Sequence, residues 1–271
     1  MSLKNLSIIV LIALTLCTGA LAKGEQIVIT GSTTVLPIAQ ACAEAFMDKN
    51  PSIEVTVRGG GSGVGIAALI DGTCNIAMSS REIKSKEIAS ARAKGVTPTD
   101  NIVAWDGIAI VVHKDIALAG LTMPQLKDIF SGKIKNWKDL GGANKGIVAI
   151  SRDVSSGTFE VFKEKVLENG SVRDDALKLA SNQAVLTSVS STPFSIGYVG
   201  LGYITDEVKT LKINNITPTK DSARDKTYPI VRSLHMFTPG KASADAQKFL
   251  DFVTGPEGQK IVDELGFVTV K

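Results

Sequence analysis

Arg152 stands four residues ahead of Ser156, and Ser156-Gly157-Thr158 opens a helix-like pattern where the β-branched run Ile147-Val148-Ala149-Ile150 has ended. A guanidinium is a planar fork of donors that suits a tetrahedral oxyanion, and hydroxyl residues at a helix start add further donors. Two earlier junctions share this grammar. Gly31-Ser32-Thr33-Thr34 follows Ile27-Val28-Ile29, and Gly59-Gly60-Gly61-Ser62-Gly63 follows Ile53-Glu54-Val55-Thr56-Val57. The first N–H groups of a helix have no intrahelical partner, and the helix dipole is positive there. Three such starts aimed at one point would replace most of an anion's hydration shell, so the expected chemistry is anion capture.

Sharper motifs fail at the same places. A Walker loop needs Gly-Lys-Ser/Thr after its spacer, and Gly65 is followed by Ile66-Ala67. No G-x-G-x-x-G register fits between Gly59 and Gly65, and a nucleophile elbow around Ser62 is broken by Val64. Ser62 and Ser156 would need a base to act as nucleophiles, whereas His113 and His235 stand alone in strand-like runs. There is no C-x-x-C or His cluster, so no metal, cofactor or enzymatic activity is expected. A net charge of +3 without a basic run argues against nucleic acid.

The elements that must hold these junctions alternate as strand and helix from Gln26 onward, which reads as a parallel α/β sheet covered on both faces. Val35, Ile38, Ala39, Cys42 and Phe46 form a helical stripe with Pro37 in its first turn, Val64 to Ile70 a short apolar helix, and Asn75 to Met78 a strand. Phe159, Phe162, Val166 and Leu167 mark a further helix, and Ala242 to Leu265 a helical end divided at Gly255-Pro256. Two extended runs, Ile102 to Val112 (read as interrupted at Asp106-Gly107) and Tyr228 to Phe237, are natural crossovers between two lobes. With 271 residues, 44% of them hydrophobic, two cores are affordable. The boundaries expected are lobe I at 23–105 plus 234–271 and lobe II at 106–233, with hinges near Asp106-Gly107 and Arg232-Ser233.

Residues 1–22 read as a cleaved secretory signal: Lys4, an apolar stretch from Ile8 to Leu16, and Ala20-Leu21-Ala22 as the cleavage site. The stretch is shorter than the roughly 20 residues of a membrane-spanning helix. Cys17 raises a lipid anchor, which bulky Leu16 disfavours. Removal of Lys4, the one charged side chain in that segment, takes the net charge from +3 to +2. Cys42 and Cys74 then remain, as a disulfide or as two buried thiols.

On the motifs Gly31-Ser32-Thr33-Thr34-Val35-Leu36-Pro37, Gly60-Gly61-Ser62-Gly63, Asn75 through Arg81 and Arg152 through Thr158, the mature chain resembles the periplasmic phosphate-binding proteins of ABC transporters. Leu121 to Leu140, with Phe130-Ser131-Gly132 and Asn136-Trp137, is also similar to that family. The resemblance implies a two-lobed Venus-flytrap fold with two crossover hinge strands. It implies a periplasmic monomer that binds inorganic phosphate without chemistry and passes it to the permease and ATPase of an importer. The implied ligands are Thr33, Thr34, Ser62, Ser80, Arg152, Ser156, Gly157 and Thr158, with Ser32, Gly63 and Arg81 as secondary candidates. Thr34 would donate through its backbone N–H. Ser80 stands where some family members carry an aspartate, which leaves discrimination against sulfate open. Alternatives are another tetrahedral oxyanion, such as sulfate or molybdate, and a secreted phosphoesterase.

Overall fold

Apolar runs of period two give way to stripes of helical period, and the key changes fall at Gly, Ser or Thr, which is why the backbone turns from strand to helix there. The computed structural model describes residues 26–270. In it β1 (Gln26–Gly31) leads to α1 (Leu36–Lys49), β2 (Glu54–Gly59) to α2 (Ser62–Ile70), and β3 (Ile76–Ser79) to α3 (Ser85–Ala93). The long β4 (Thr99–Val112) follows, then β5 (Gly120–Leu121), α4 (Met123–Ser131), β6 (Val148–Arg152), α5 (Gly157–Lys165), β7 (Leu177–Leu179) and α6 (Asn182–Ser191). Next come β8 (Ser195–Gly200), β9 (Lys209–Ile213), α7 (Lys220–Arg224), β10 (Val231–Thr238), α8 (Ala244–Thr254) and α9 (Pro256–Glu264). The expected signal segment and Cys17 lie outside the described residues. Among the described residues no helix is long and apolar enough to cross a membrane.

Hydrogen-bonded neighbours run β2-β1-β3-β10-β4-β8-β6-β7. β1 is parallel to β2 and β3, and β6 is parallel to β7 and β8. Between these parallel flanks β10 runs antiparallel to both β3 and β4. One core gathers Ile27, Ile29, Ile38, Phe46, Met78 and Phe249, and a second gathers Leu126, Phe130, Trp137, Phe162 and Tyr198. β4 supplies Val103 and Ala104 to the first core and Ile108, Ile110 and Val112 to the second. β10 supplies Leu234 and Met236 to the first. The architecture is therefore the expected two-lobed α/β fold, with β4 and β10 as the strands shared between lobes.

The expected interruption at Asp106-Gly107 does not occur. β4 passes through both residues, with Asp106 opposite Arg232 and Gly107 opposite Val231 in the β10 ladder. A charged residue inside a strand ordinarily argues for a turn, but here the facing guanidinium satisfies the carboxylate and the strand continues. The C-terminal helical stretch divides at Gly255-Pro256 as read, and Pro37 lies in the first turn of α1.

His235 is fully enclosed on β10, with Nδ1 2.8 Å from Asp100 Oδ1 and Nε2 2.8 Å from Ser233 Oγ. It ties β10 to β4 rather than standing alone. Cys42 and Cys74 are free thiols, both buried, and burial pushes them up to about 12 and about 11. Neither would exist as a reactive thiolate at neutral pH. Thiol titration of the chain from Lys23 onward should thus be slow in the folded state and complete on denaturation without reductant. Absence of reaction after denaturation would instead reveal a disulfide.

Candidate anion-binding site

Each strand that precedes a candidate ligand ends at the same edge of its lobe, so β1, β2 and β6 deliver their following loops into the interlobe cleft. Thr33, Thr34, Ser62, Ser80, Arg152, Ser156 and Thr158 are all buried there, and Gly157 is buried at the start of α5. The two lobes touch directly at these residues. Arg152 Nη2 donates to Thr33 Oγ1 at 3.2 Å, and the Thr34 and Thr158 hydroxyls are 3.0 Å apart. Within lobe I, Ser62 Oγ accepts from Ser80 N–H at 3.0 Å and lies 3.3 Å from Ser80 Oγ. The cleft is closed.

Two glycines make that closure geometrically feasible. Gly61, at φ 96°, occupies the left-handed side of backbone space and sits against Ser155 of the other lobe. A Cβ on Gly157 would run into Ser62 Oγ and come 2.7 Å from Ser80 Oγ. Gly63 N–H then reaches Ser155 C=O at 2.9 Å, Ser155 Oγ donates to Gly60 C=O at 3.2 Å, and Lys84 pairs with Glu160 at 2.7 Å across the cleft.

Arg152 is held from its own lobe by Leu179 C=O on Nε at 3.0 Å and Ala180 C=O on Nη2 at 2.8 Å. Its Nη1 is buried and makes no hydrogen bond among the described residues. Burial lowers the Arg152 pKa to about 10, so the group is still cationic at neutral pH. A second buried cation lies beneath. Arg232 donates to Asp106 Oδ2 through Nε at 3.0 Å and Nη2 at 2.8 Å, and Leu201 N–H donates to Asp106 Oδ1 at 2.9 Å. Burial pushes the Asp106 carboxyl up and the Arg232 guanidinium down, and their mutual attraction opposes both. Two guanidiniums against one carboxylate leave the interior electropositive, and the arrangement suits an anion with several acceptor oxygens.

A family model of the PBP superfamily domain matches residues 18–257. The chain is 35% identical over 256 residues to the phosphate-binding protein PstS of Bacillus subtilis (strain 168), covering 92% of this chain and 84% of that one. This chain belongs to the phosphate-binding protein family. A crystal structure from Clostridium perfringens, described as a phosphate ABC transporter substrate-binding protein with bound phosphate, superposes with a TM-score of 0.85 at 32% identity. It covers 91% of this chain and 100% of that one. An ABC-type phosphate transport receptor from Vibrio cholerae gives 0.75 at 30% identity, covering 90% and 99%.

Against the residues that family resemblance implies, the geometry makes three corrections. Thr34 N–H is taken by Ser32 Oγ at 3.1 Å, so Ser32 caps the loop and Thr34 faces the site through its hydroxyl. Gly63 N–H is committed to the interlobe bond with Ser155. Arg81 is gripped by Glu87 at 2.8 Å on both terminal nitrogens and donates to Glu82 C=O, so it serves its own lobe. Ser156 accepts from Phe159 N–H at 3.2 Å as the α5 cap, with its own proton still to place.

Asn182, Arg232 and Asp106 escaped the sequence reading as site residues, as did Tyr203, whose hydroxyl donates to Thr33 C=O. Asp106 and Arg232 did carry a signal: each is a charge inside an apolar strand run. Among the described residues no group of three or more His, Cys, Asp or Glu is placed to hold a metal ion. The Gly157→Ala variant should fold normally yet lose about 1–3 kcal/mol of anion affinity by calorimetry, because the overpacked contact exists only in the closed form. Unchanged affinity would mean that the lobes bind without closing to this degree.

Proposed function

We propose that this chain is a solute-binding protein that captures inorganic phosphate between its lobes and hands it to the permease and ATPase of an ABC importer. The carrying observation is Arg152: a buried guanidinium nitrogen without a partner among the described residues, at the meeting point of three helix-start loops. A phosphate oxygen completes its donor set and neutralises the excess positive charge around Arg152, Arg232 and Asp106. Thr33, Thr34, Ser62 and Ser80 approach from lobe I. Arg152, Ser156, Gly157 and Thr158 approach from lobe II. The identity to named phosphate-binding proteins across nine-tenths of the chain supports the same ligand.

Binding is the whole of the activity in this reading. Among the described residues Ser62 and Ser156 have no histidine as a hydrogen-bond partner, and His235 is held by Asp100 of β4 and Ser233 of β10 instead. The protein acts as a periplasmic monomer, exported by residues 1–22, with lobes divided at 23–105 plus 234–271 and 106–233. Its opening motion bends β4 and β10 where they pass from one core to the other.

Arg152→Ala removes a charge-assisted contact, so phosphate affinity should fall by about 1.5–3 kcal/mol in isothermal titration calorimetry. Wild-type affinity in that variant would take Arg152 out of the site and remove the main support for the assignment.

A further inference from the structure

The hydroxyls around the anion are not free to choose their direction. Thr33 Oγ1 accepts from Arg152 Nη2 at 3.2 Å and from Asn182 Nδ2 at 3.2 Å. Thr34 Oγ1 accepts from Asn182 Nδ2 at 3.0 Å and from Arg232 Nη2 at 3.2 Å. Thr158 Oγ1 accepts from Arg232 Nη1 at 2.8 Å. Arginine never accepts, and the amide of Asn182 is fixed in orientation because its Oδ1 takes the Gly200 N–H at 3.2 Å.

A hydroxyl has two lone pairs and one proton. Both lone pairs of Thr33 and of Thr34 are therefore filled, and each must donate. If Thr34 donates to Thr158, the lone pairs of Thr158 are filled too and the donation passes on to its own proton. The serines differ: among the described residues Ser80 Oγ has only Ser62 as a side-chain partner, and Ser156 has accepted one N–H.

Resting on the phosphate reading above, we infer that Arg232, anchored by Asp106, together with Asn182, turns the Thr33 and Thr158 protons toward the ligand, with the Thr34 proton passed to Thr158, and so selects the dianion of phosphate over the monoanion. These two are positioning residues, since each reaches the ligand through a threonine. Any proton on the phosphate must find a serine. The dianion, with one proton, is matched by the Ser62–Ser80 pair: when the Ser80 hydroxyl donates to Ser62 Oγ, both Ser80 lone pairs are free to accept it. The monoanion brings a second proton to a floor of committed donors.

The groups facing Arg232 are Asp106, Arg152 and Tyr198, and the groove on its outer side carries Arg81, Glu82, Lys84, Glu160, Glu164 and Lys165. All but Asp106 are common to the proteins compared below, so their titration cancels.

The test is the ratio of phosphate dissociation constants at about pH 5.5 and about pH 8, on either side of the second ionisation of phosphate. In the wild type it should be roughly tenfold or more, weaker in acid. In the double variant Asp106→Asn/Arg232→Met the pair stays neutral overall and Asn still accepts from Leu201 N–H, but the donors to Thr34 and Thr158 are gone. Those hydroxyls can then accept, and the ratio should shrink severalfold. Asp106→Asn alone keeps the donors and should keep the wild-type ratio, which rules out titration of Asp106 as the cause. Asn182→Ala leaves the ion pair intact and should also shrink the ratio, so the inference stays testable if the double variant does not fold. Equal weakening at both pH values, with the ratio unchanged, would mean a merely structural role and overturn the inference alone. A wild type that binds no phosphate at either pH would overturn the phosphate reading itself.

Discussion

Arg152 is the constraint around which the rest is arranged. A guanidinium taken out of water must have its donors met, and among the described residues those on Nε and Nη2 are met by Leu179, Ala180 and Thr33 while Nη1 has no partner. Such a group is tolerable in the interior only if something anionic joins it. The fold brings it to the edge of β6 because β6 is parallel to its neighbours and its following loop must lie at the same end as theirs. Closure brings Thr33 of the other lobe against Arg152, so in the proposed reading the affinity for the anion and the affinity of the lobes for one another are one quantity.

The second constraint is the Asp106–Arg232 pair, 2.8 Å apart with almost no exposure. It occupies directly opposed positions on the strands shared by both cores, at the point where each passes from one lobe to the other. A buried pair of this kind gives little net stability compared with apolar side chains, but its geometry is strongly directional. Arg232 reaches Thr34 of one lobe and Thr158 of the other. The strands shared by the lobes and the cleft threonines are therefore a single hydrogen-bonded unit, which links the angle between the lobes to the direction in which hydroxyl protons point.

The loops at Thr33, Ser62 and Arg152 were legible in sequence because strand and helix periods change there and because Ser, Thr and Gly have few other reasons to cluster. The alternation of elements and the division at Gly255-Pro256 were legible for the same local reason. What local pattern does not contain is which donor meets which acceptor. Thr34 N–H is claimed by Ser32, Gly63 N–H by Ser155 and Arg81 by Glu87, and only folding reveals those competitors. Asp106 is the clearest case. Its charge in an apolar run signalled a break, yet the partner that keeps the strand intact lies 126 residues away. Asn182 carried no sign at all, being an ordinary polar residue at the start of α6.

The central claim is that one phosphate completes this electropositive interior, and equilibrium dialysis against radiolabelled inorganic phosphate measures it most directly. Protein stripped of ligand by reversible unfolding and refolded should take up phosphate saturably, one per chain. Correctly refolded protein with no saturable uptake would contradict the account.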